Sequence, residues 1–221
     1  LAETTREAIR ELTIKDHSVF YCSMTKGKLT KDRVIHEAGQ LMNRTGYLAT
    51  PLSSVLEAVN LQKGGFYNHF TSKDELAREG FQANARQLGT YLDSVANDID
   101  DPEQRLWALF EASMAIAEDR VIAGGCPILN AGTESDDSSE PLRALVSHAL
   151  EGLRQKLLAP LQLLELQGRL ANDAETLSWT LLAALEGGIL IRRVSQNPQN
   201  QAAVLAGIRV LLKQFLRSVA P

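Results

Sequence analysis

Two cysteines, Cys22 and Cys126, are too few for a disulfide framework or a cysteine-rich metal site. The four histidines (His17, His36, His69 and His148) lie far apart, with no metal-ligand spacing. No Gly-x-Ser-x-Gly elbow, phosphate-binding loop or dinucleotide fingerprint is present. These absences argue against an enzyme and imply no metal and no cofactor. No run approaches the roughly 18 apolar residues that span a bilayer, so no membrane partner is expected. Residues 1–23 carry charges throughout and lack the apolar core of a signal peptide. A reduced cytoplasm is the expected location. Strand alternation and internal repeats are also lacking, and a net charge of -4 excludes a chain that is basic throughout.

What is present is a chain of 221 residues, 44% hydrophobic and 23% charged, long enough for a small module joined to a larger one. Charge is unevenly shared. Residues 24–79 carry eight Lys/Arg against six Asp/Glu, and residues 80–221 carry twelve against seventeen, so only the early segment is cationic. The chain opens with Leu1, and Met24 stands just ahead of the first patterned helix. Residues 1–25 therefore read as an extension that is not part of the native fold.

Nearly every patterned segment predicts a helix. Residues 31–45 place Val34, Ile35, Ala38, Leu41 and Met42 on one face, with Thr30 as N-cap and Gly46 after the end. Thr50-Pro51 starts a second, short helix, and a third short piece is expected near 63–69. Ser72 to Glu75 forms a capping box, with Glu75 reaching back, and opens a helix to about 97. Asp101 to Gln104 opens another near 102–122, "AGGCPILNAG" interrupts it, and 134–140 reads as a solvated acidic loop. Helices at about 141–168 and 173–195, the latter capped by Asn172 with Glu175, precede a last one after Pro198. The fold class is all-α, with about nine helices.

Three short helices, the last two joined tightly, form a helix-turn-helix candidate whose third helix would lie in the DNA major groove. Gly64 and Gly65 bare the backbone at its start, so its N–H groups can approach a phosphate. Lys63 adds charge there, Tyr67 and His69 offer polar groups, and Phe66 and Phe70 key the helix into its neighbours. Lys73 sits badly for the helix dipole but well for a phosphate opposite. Taken singly, a Gly-Gly pair reads as a flexible turn, and Tyr67 and His69 as surface residues. Their combination points to DNA.

Residues 30–76, "TKDRVIHEAGQLMNRTGYLATPLSSVLEAVNLQKGGFYNHFTSKDEL", resemble the head of the TetR (tetracycline-repressor) family of bacterial transcription regulators. The likeness lies in Gly46-Tyr47 after the first helix, Thr50 before the second, the run from Leu61 to Phe70, and the Ser72 to Leu76 close. The resemblance implies a DNA-binding head at 26–76 and a ligand-binding, dimerising body at 77–221. It implies phosphate contacts from Thr30 and Thr50, a grip on backbone and groove wall by Lys63, Gly64, Tyr67, His69 and Lys73, and base-facing positions at Gln62 and Gly65. Gln62 departs from the family's usual Ser and suits adenine. Gly65 stands where Thr, Ala or Ser is common and removes a base-reading side chain.

The helix at 173–195 is apolar nearly all round, and from Leu177 to Ile191 its only charge is Glu186. Its small residues would admit another helix closely. A monomer's core helix has the same pattern, but the resemblance favours a homodimer joined through Ala184, Gly188, Ile191, Leu205, Ile208 and Leu212. "GGCPILNAGTE", residues 124–134, resembles the sixth-helix region of some TetR-type proteins, beside which an effector cavity opens. Trp107, Phe110, Met114, Cys126, Asn130, Trp179 and Leu182 are its candidate lining, although each is equally placed for plain core packing. The resulting expectation is a dimeric regulator of a palindromic operator in double-stranded DNA, most simply a repressor released by a small apolar or amphipathic effector. The alternative is a thiol-redox regulator sensing through Cys126.

Overall fold

The computed structural model describes residues 26–216; the expected extension at 1–25, with Cys22, lies outside the described residues. Among the described residues there are nine helices. They are α1 (Lys26–Thr45), α2 (Leu52–Ala58), α3 (Lys63–Tyr67), α4 (Lys73–Ala96), α5 (Pro102–Ala117), α6 (Pro127–Ser135), α7 (Glu140–Leu166), α8 (Ala174–Ser195) and α9 (Pro198–Phe215). The sole strand-like pairing among the described residues is an isolated bridge between Leu170 and Leu216. The chain divides into two units within α1, at Val34–Ile35. Of the first, only the opening of α1 is described; the second holds the rest of the helices.

The expected caps hold in part. Asp101 accepts from the Gln104 amide at 2.9 Å and Ser72 from the Glu75 amide at 3.1 Å, each satisfying an orphan donor at a helix start. Glu75 reaches back to Thr71, whose amide lies 2.6 Å from its carboxylate. Gly46 ends α1 at φ +102°. Other boundaries need correction. Helix α1 begins by Lys26, so Thr30 stands inside it and is no N-cap; no proline intervenes upstream, and a lone Gly27 costs a helix only about 1 kcal/mol. Pro51 is the N-cap of α2, in extended conformation, and Thr50 precedes it. Helix α5 stops at Ala117, ahead of the expected 122, because Asp119 adopts a left-handed backbone. Asp173, not Asn172, caps α8 by accepting from the Thr176 amide at 2.7 Å.

Helix α4 joins the early helices to the rest. It crosses α1 at Gly39 and Gly80, where a Cβ on Gly80 would lie 3.0 Å from the Gly39 Cα, so two bare positions permit the approach. The main core lies among α4 to α9, around Leu88, Phe110, Leu157, Leu161, Leu181 and Ile189, all nearly or fully buried. Arg154 ties α7 to α8, donating to Glu151, to Glu175 at 2.7 Å and to Ser178 at 3.0 Å. One expectation is modified by α8: by length and composition it is apolar enough to cross a bilayer. Since 44% of that window is buried inside the protein, the same property fits a core helix.

Candidate nucleic-acid interface and body cavities

Helices α2 and α3 meet through a four-residue turn. Asn60 takes a left-handed conformation (φ +49°), and the Leu61 amide bonds back to the Leu56 carbonyl at 2.9 Å. Asparagine tolerates that geometry better than branched residues do. Phe66 is fully buried and stacks on Phe70 with ring centroids 5.3 Å apart, which fixes the rotation of the five-residue α3. That rotation leaves Gln62, Lys63, Gly64 and Tyr67 exposed. His69 is half-buried beside Phe70.

The two glycines differ. A Cβ on Gly64 would meet nothing within 4 Å, so the fold makes no steric demand there. On Gly65 it would lie 3.0 Å from Leu61 Cδ1, so the end of that side chain would have to give way.

Two expected phosphate ligands are turned inward. The Thr50 side chain is 2% exposed, with its hydroxyl on the Gly46 carbonyl and 2.7 Å from the Thr45 hydroxyl. The Thr50 amide also bonds back to the Gly46 carbonyl at 3.2 Å, so the whole residue closes the turn. The Lys73 ammonium donates to the carbonyls of Leu48 and, at 3.2 Å, of Thr50. This explains a cation in the first turn of α4: it satisfies acceptors of the α1–α2 turn. Thr30, inside α1, is half-buried.

The same turn is held from the opposite side by α6, an arrangement the sequence reading missed. The Glu134 carboxylate accepts from the amides of Tyr47 at 2.8 Å and Leu48 at 2.9 Å. Far from belonging to a solvated loop, it satisfies two amide donors of the turn that follows α1. Asn130 donates to the Asn43 carbonyl at 3.0 Å, to its side-chain oxygen at 3.1 Å and to the Gly124 carbonyl at 2.8 Å. Asn43 returns bonds to the carbonyls of Ala123 and Gly125. Gly124, at φ +99°, lies so close that a Cβ would be 2.6 Å from the Asn43 carbonyl oxygen. Asn84 on α4 donates to the Tyr47 hydroxyl at 2.7 Å and closes the network. An amide on the apolar stripe of α1, next to Met42, was the available sign.

The candidate lining residues do not share one cavity. Trp107, Phe110 and Met114 face α9 across a space of about 440 Å³, where Arg209 sits over the Trp107 ring. Trp179 and Leu182 line a separate cavity of about 360 Å³ between α6, α7 and α8. A third, about 370 Å³, lies between α4 and α7 with Arg86, His148 and Lys156 among its lining. Asn130 belongs to the network above. Inward stripes on different helices simply point into different spaces.

Cys126 caps α6 from a fully interior position, and its thiol donates to Glu186 at 3.2 Å. Burial first, then the nearby carboxylate, pushes the thiol well above its usual range. A reactive thiolate needs the opposite environment. Burial likewise pushes Glu186 up to about 7, and the bond from Cys126 only partly opposes this.

The expected dimer residues also divide. Gly188, Ile208 and Leu212 are buried within the chain, where α8 packs on α9. Ala184 and Leu205 are half-buried, and Ile191 is exposed with Leu190, Val194, Val210 and Leu211. A stripe mixing the two faces is corrected by that packing: small Gly188 meets Val204 of the same chain at 3.3 Å, counted from an added Cβ.

Residues 34–79 match the family described as "Bacterial regulatory proteins, tetR family", and residues 102–208 match "Tetracyclin repressor-like, C-terminal domain". The chain belongs to the TetR family of transcriptional regulators. The family consists of regulators and not enzymes. A TetR regulator from Chloroflexus aurantiacus J-10-FL superposes with a TM-score of 0.83 at 28% identity, covering 89% of this chain and 100% of that one. A TetR-family regulator from Cytophaga hutchinsonii gives 0.82 at 23%, covering 90% and 100%. The repressor DhaR of Mycobacterium sp. (strain GP1) is 24% identical over 174 residues, 76% of this chain and 84% of its own. This TetR-family head thus presents Gln62, Lys63, Gly64 and Tyr67 outward.

Proposed function

We propose that the protein is a homodimeric repressor that binds a short inverted repeat and is released by a small apolar or amphipathic effector. Residues 26–76 form the DNA-binding head and residues 77–221 the effector-binding, dimerising body. DNA contact falls to Gln62, Lys63, Gly64 and Tyr67, with His69 beside them, while Thr50 and Lys73 serve the turn behind. Pairing two chains through the exposed apolar faces of α8 and α9 would set two α3 helices about 34–36 Å apart, one turn of duplex. The named repressor DhaR supports the direction of control.

The observation carrying effector control is α6. Ile128, Leu129, Gly132 and Thr133 line the α6–α7–α8 cavity, while Asn130 and Glu134 of the same nine-residue helix hold Asn43, Tyr47 and Leu48. A ligand that shifts α6 therefore shifts the turn on which α2 and α3 are mounted. For a full switch the effector must favour the released conformation by roughly 5 kcal/mol. The interior, proton-holding thiol of Cys126 speaks against the thiol-redox alternative.

Footprinting on the DNA beside the protein's own gene tests the reading. A protected inverted repeat is expected, with affinity falling steeply in salt, and Lys63→Ala should flatten the log–log salt slope by about 0.9 for its lost phosphate contact. Equal, weak binding to every duplex would refute it.

A further inference from the structure

We propose that the cavity between α6, α7 and α8 selects an organic cation, an apolar body bearing one protonated amine, and that the amine draws the unpartnered carboxylate oxygen of Glu186 out from beneath the cavity wall into a hydrogen bond. This rests on the effector reading above and names the chemistry of its ligand.

The cavity, about 360 Å³, falls in the range of small-molecule sites. Its wall is apolar: Leu129, Val146, Leu150, Trp179 and Leu182 line it, and Glu186 is its only charged residue. Glu186 is 9% exposed. One of its oxygens accepts the Cys126 thiol at 3.2 Å, and the other, Oε2, has no hydrogen-bond partner among the described residues and is itself covered, so a turn of the side chain must bring it to the cavity. A buried carboxylate with an open acceptor destabilises the protein that holds it, so a ligand that supplies a donor there gains what folding leaves unmade.

The nearby protein cations are committed elsewhere. Arg154 is paired with Glu151 and Glu175, and Lys156 with Asp93. Neither satisfies Glu186. In an apolar wall the field of a lone carboxylate is poorly screened, so a cation is favoured over a neutral donor of equal size. Trp179 already carries Arg154 over its ring at 4.8 Å, so it serves the cavity as apolar wall and the attraction for a cation falls to Glu186. The α4–α7 cavity has the contrary lining, with Arg86, His148 and Lys156, so an anionic amphiphile would gather there instead. The position is also consequential. Glu186 is bonded directly to the residue that caps α6, so an amine drawing on that carboxylate acts one contact from the helix that holds the head.

The sequence has two tryptophans, so Trp107→Phe leaves Trp179 as the sole reporter, in this cavity. Octylamine, octanol and octanoate, each below its micelle concentration, are titrated into that full-length protein at pH 8, where Glu186 is mostly ionised and the amine still protonated, while Trp179 fluorescence is followed. Octylamine should bind about tenfold more tightly than octanol, as expected for one charge-assisted hydrogen bond, with octanoate weakest. Adding Glu186→Gln should bring the amine to the level of the alcohol and leave the alcohol unchanged. Equal binding of amine and alcohol, a preference for octanoate, or an amine preference that survives Glu186→Gln in a folded variant overturns the assignment. No response to any of the three overturns the ligand site itself. The comparison among ligands needs no Glu186 variant, so it holds even if that variant fails to fold. Operator release, measured in parallel, separates the two claims. Selective amine binding without release supports the charge assignment and removes the effector reading, whereas release by octanol as strong as by octylamine does the reverse.

Discussion

The head and the body place their polar chemistry on opposite sides of their surfaces. In the head, aromatic residues are inside (Phe66, Phe70, Tyr47) and the polar residues of α3 face outward, where a large partner can reach them. In the body, polar groups are buried among leucines: Glu186, Arg154, Ser178, Ser113 and Gln201. A surface polar group needs no internal partner, so the head's chemistry can be arranged for something external. A buried one needs a partner or a reason, and in the body most have partners. Arg154 has three, and Gln201 donates to the Ser113 carbonyl at 3.2 Å. Among these residues Glu186 Oε2 and Gln201 Oε1 are left without a partner, and of the two only Glu186 lines the α6–α7–α8 cavity. On the reading proposed above, a duplex would meet what the head exposes, and an effector what the body leaves unsatisfied.

The sharpest break of that comparison uses two adjacent residues. Phe66→Ala removes a fully buried ring and should cost about 3–5 kcal/mol of stability. Tyr67→Ala, one position on and 52% exposed, should change stability by no more than about 0.5 kcal/mol while weakening operator binding severely. Thermal or urea melts beside operator titrations check both. A Tyr67 variant that melts early yet binds normally would reverse the inside–outside assignment of α3.

The next effect tests the body. Burial raises Glu186 from 4.5 in the unfolded chain to about 7 in the folded protein, so its protonated form is the one the fold accommodates. That contribution is fully present below about pH 4.5 and is lost as pH rises through about 7. The groups facing it are Cys126, whose thiol stays protonated throughout, and Lys156, which is paired with Asp93. Relative to Glu186→Gln, the parent protein should therefore lose roughly 3 kcal/mol of stability between pH 4 and pH 8. Paired urea melts across that range measure the difference, in which the titration of all other groups cancels. A difference that is flat with pH would mean Glu186 is ionised at no cost.

The contrast between the two regions also governs how much could be read in advance. The head was legible because there the residue type, its position and its exposure coincide. Lys63 and Tyr67 follow a turn signal and precede a capping serine, and local rules fix which way they face. The helices of the body were legible for the same reason, through caps such as Asp101 and the apolar periods of α7 and α8. What was not legible depends on distance in sequence. Glu134 meets Tyr47 across 87 residues, and no local pattern announces that pairing. Periodicity says that Trp107 and Trp179 lie on inward stripes, but two helices that both face inward can line different cavities. Thr50 and Lys73 failed differently. Both look like free donors until the turn between α1 and α2 is formed, and its carbonyls then claim them.

The smallest expected effect bears on why α3 begins with a glycine pair. A methyl group on Gly65 would crowd the end of Leu61, whereas Gly64 has open space around it and no left-handed backbone. Alanine loses less backbone entropy than glycine on entering a helix, so Gly64→Ala should leave stability unchanged or raise it by up to about 1 kcal/mol. If the bare backbone serves to approach a phosphate, the same methyl group should weaken operator binding, although every internal contact is kept. Urea melts and operator titrations on one preparation give both numbers. A rise in stability together with weaker DNA binding means the glycine serves the duplex at the expense of the helix. Unchanged affinity would mean that α3 meets DNA through its side chains alone, with Lys63 and Tyr67 carrying the contact.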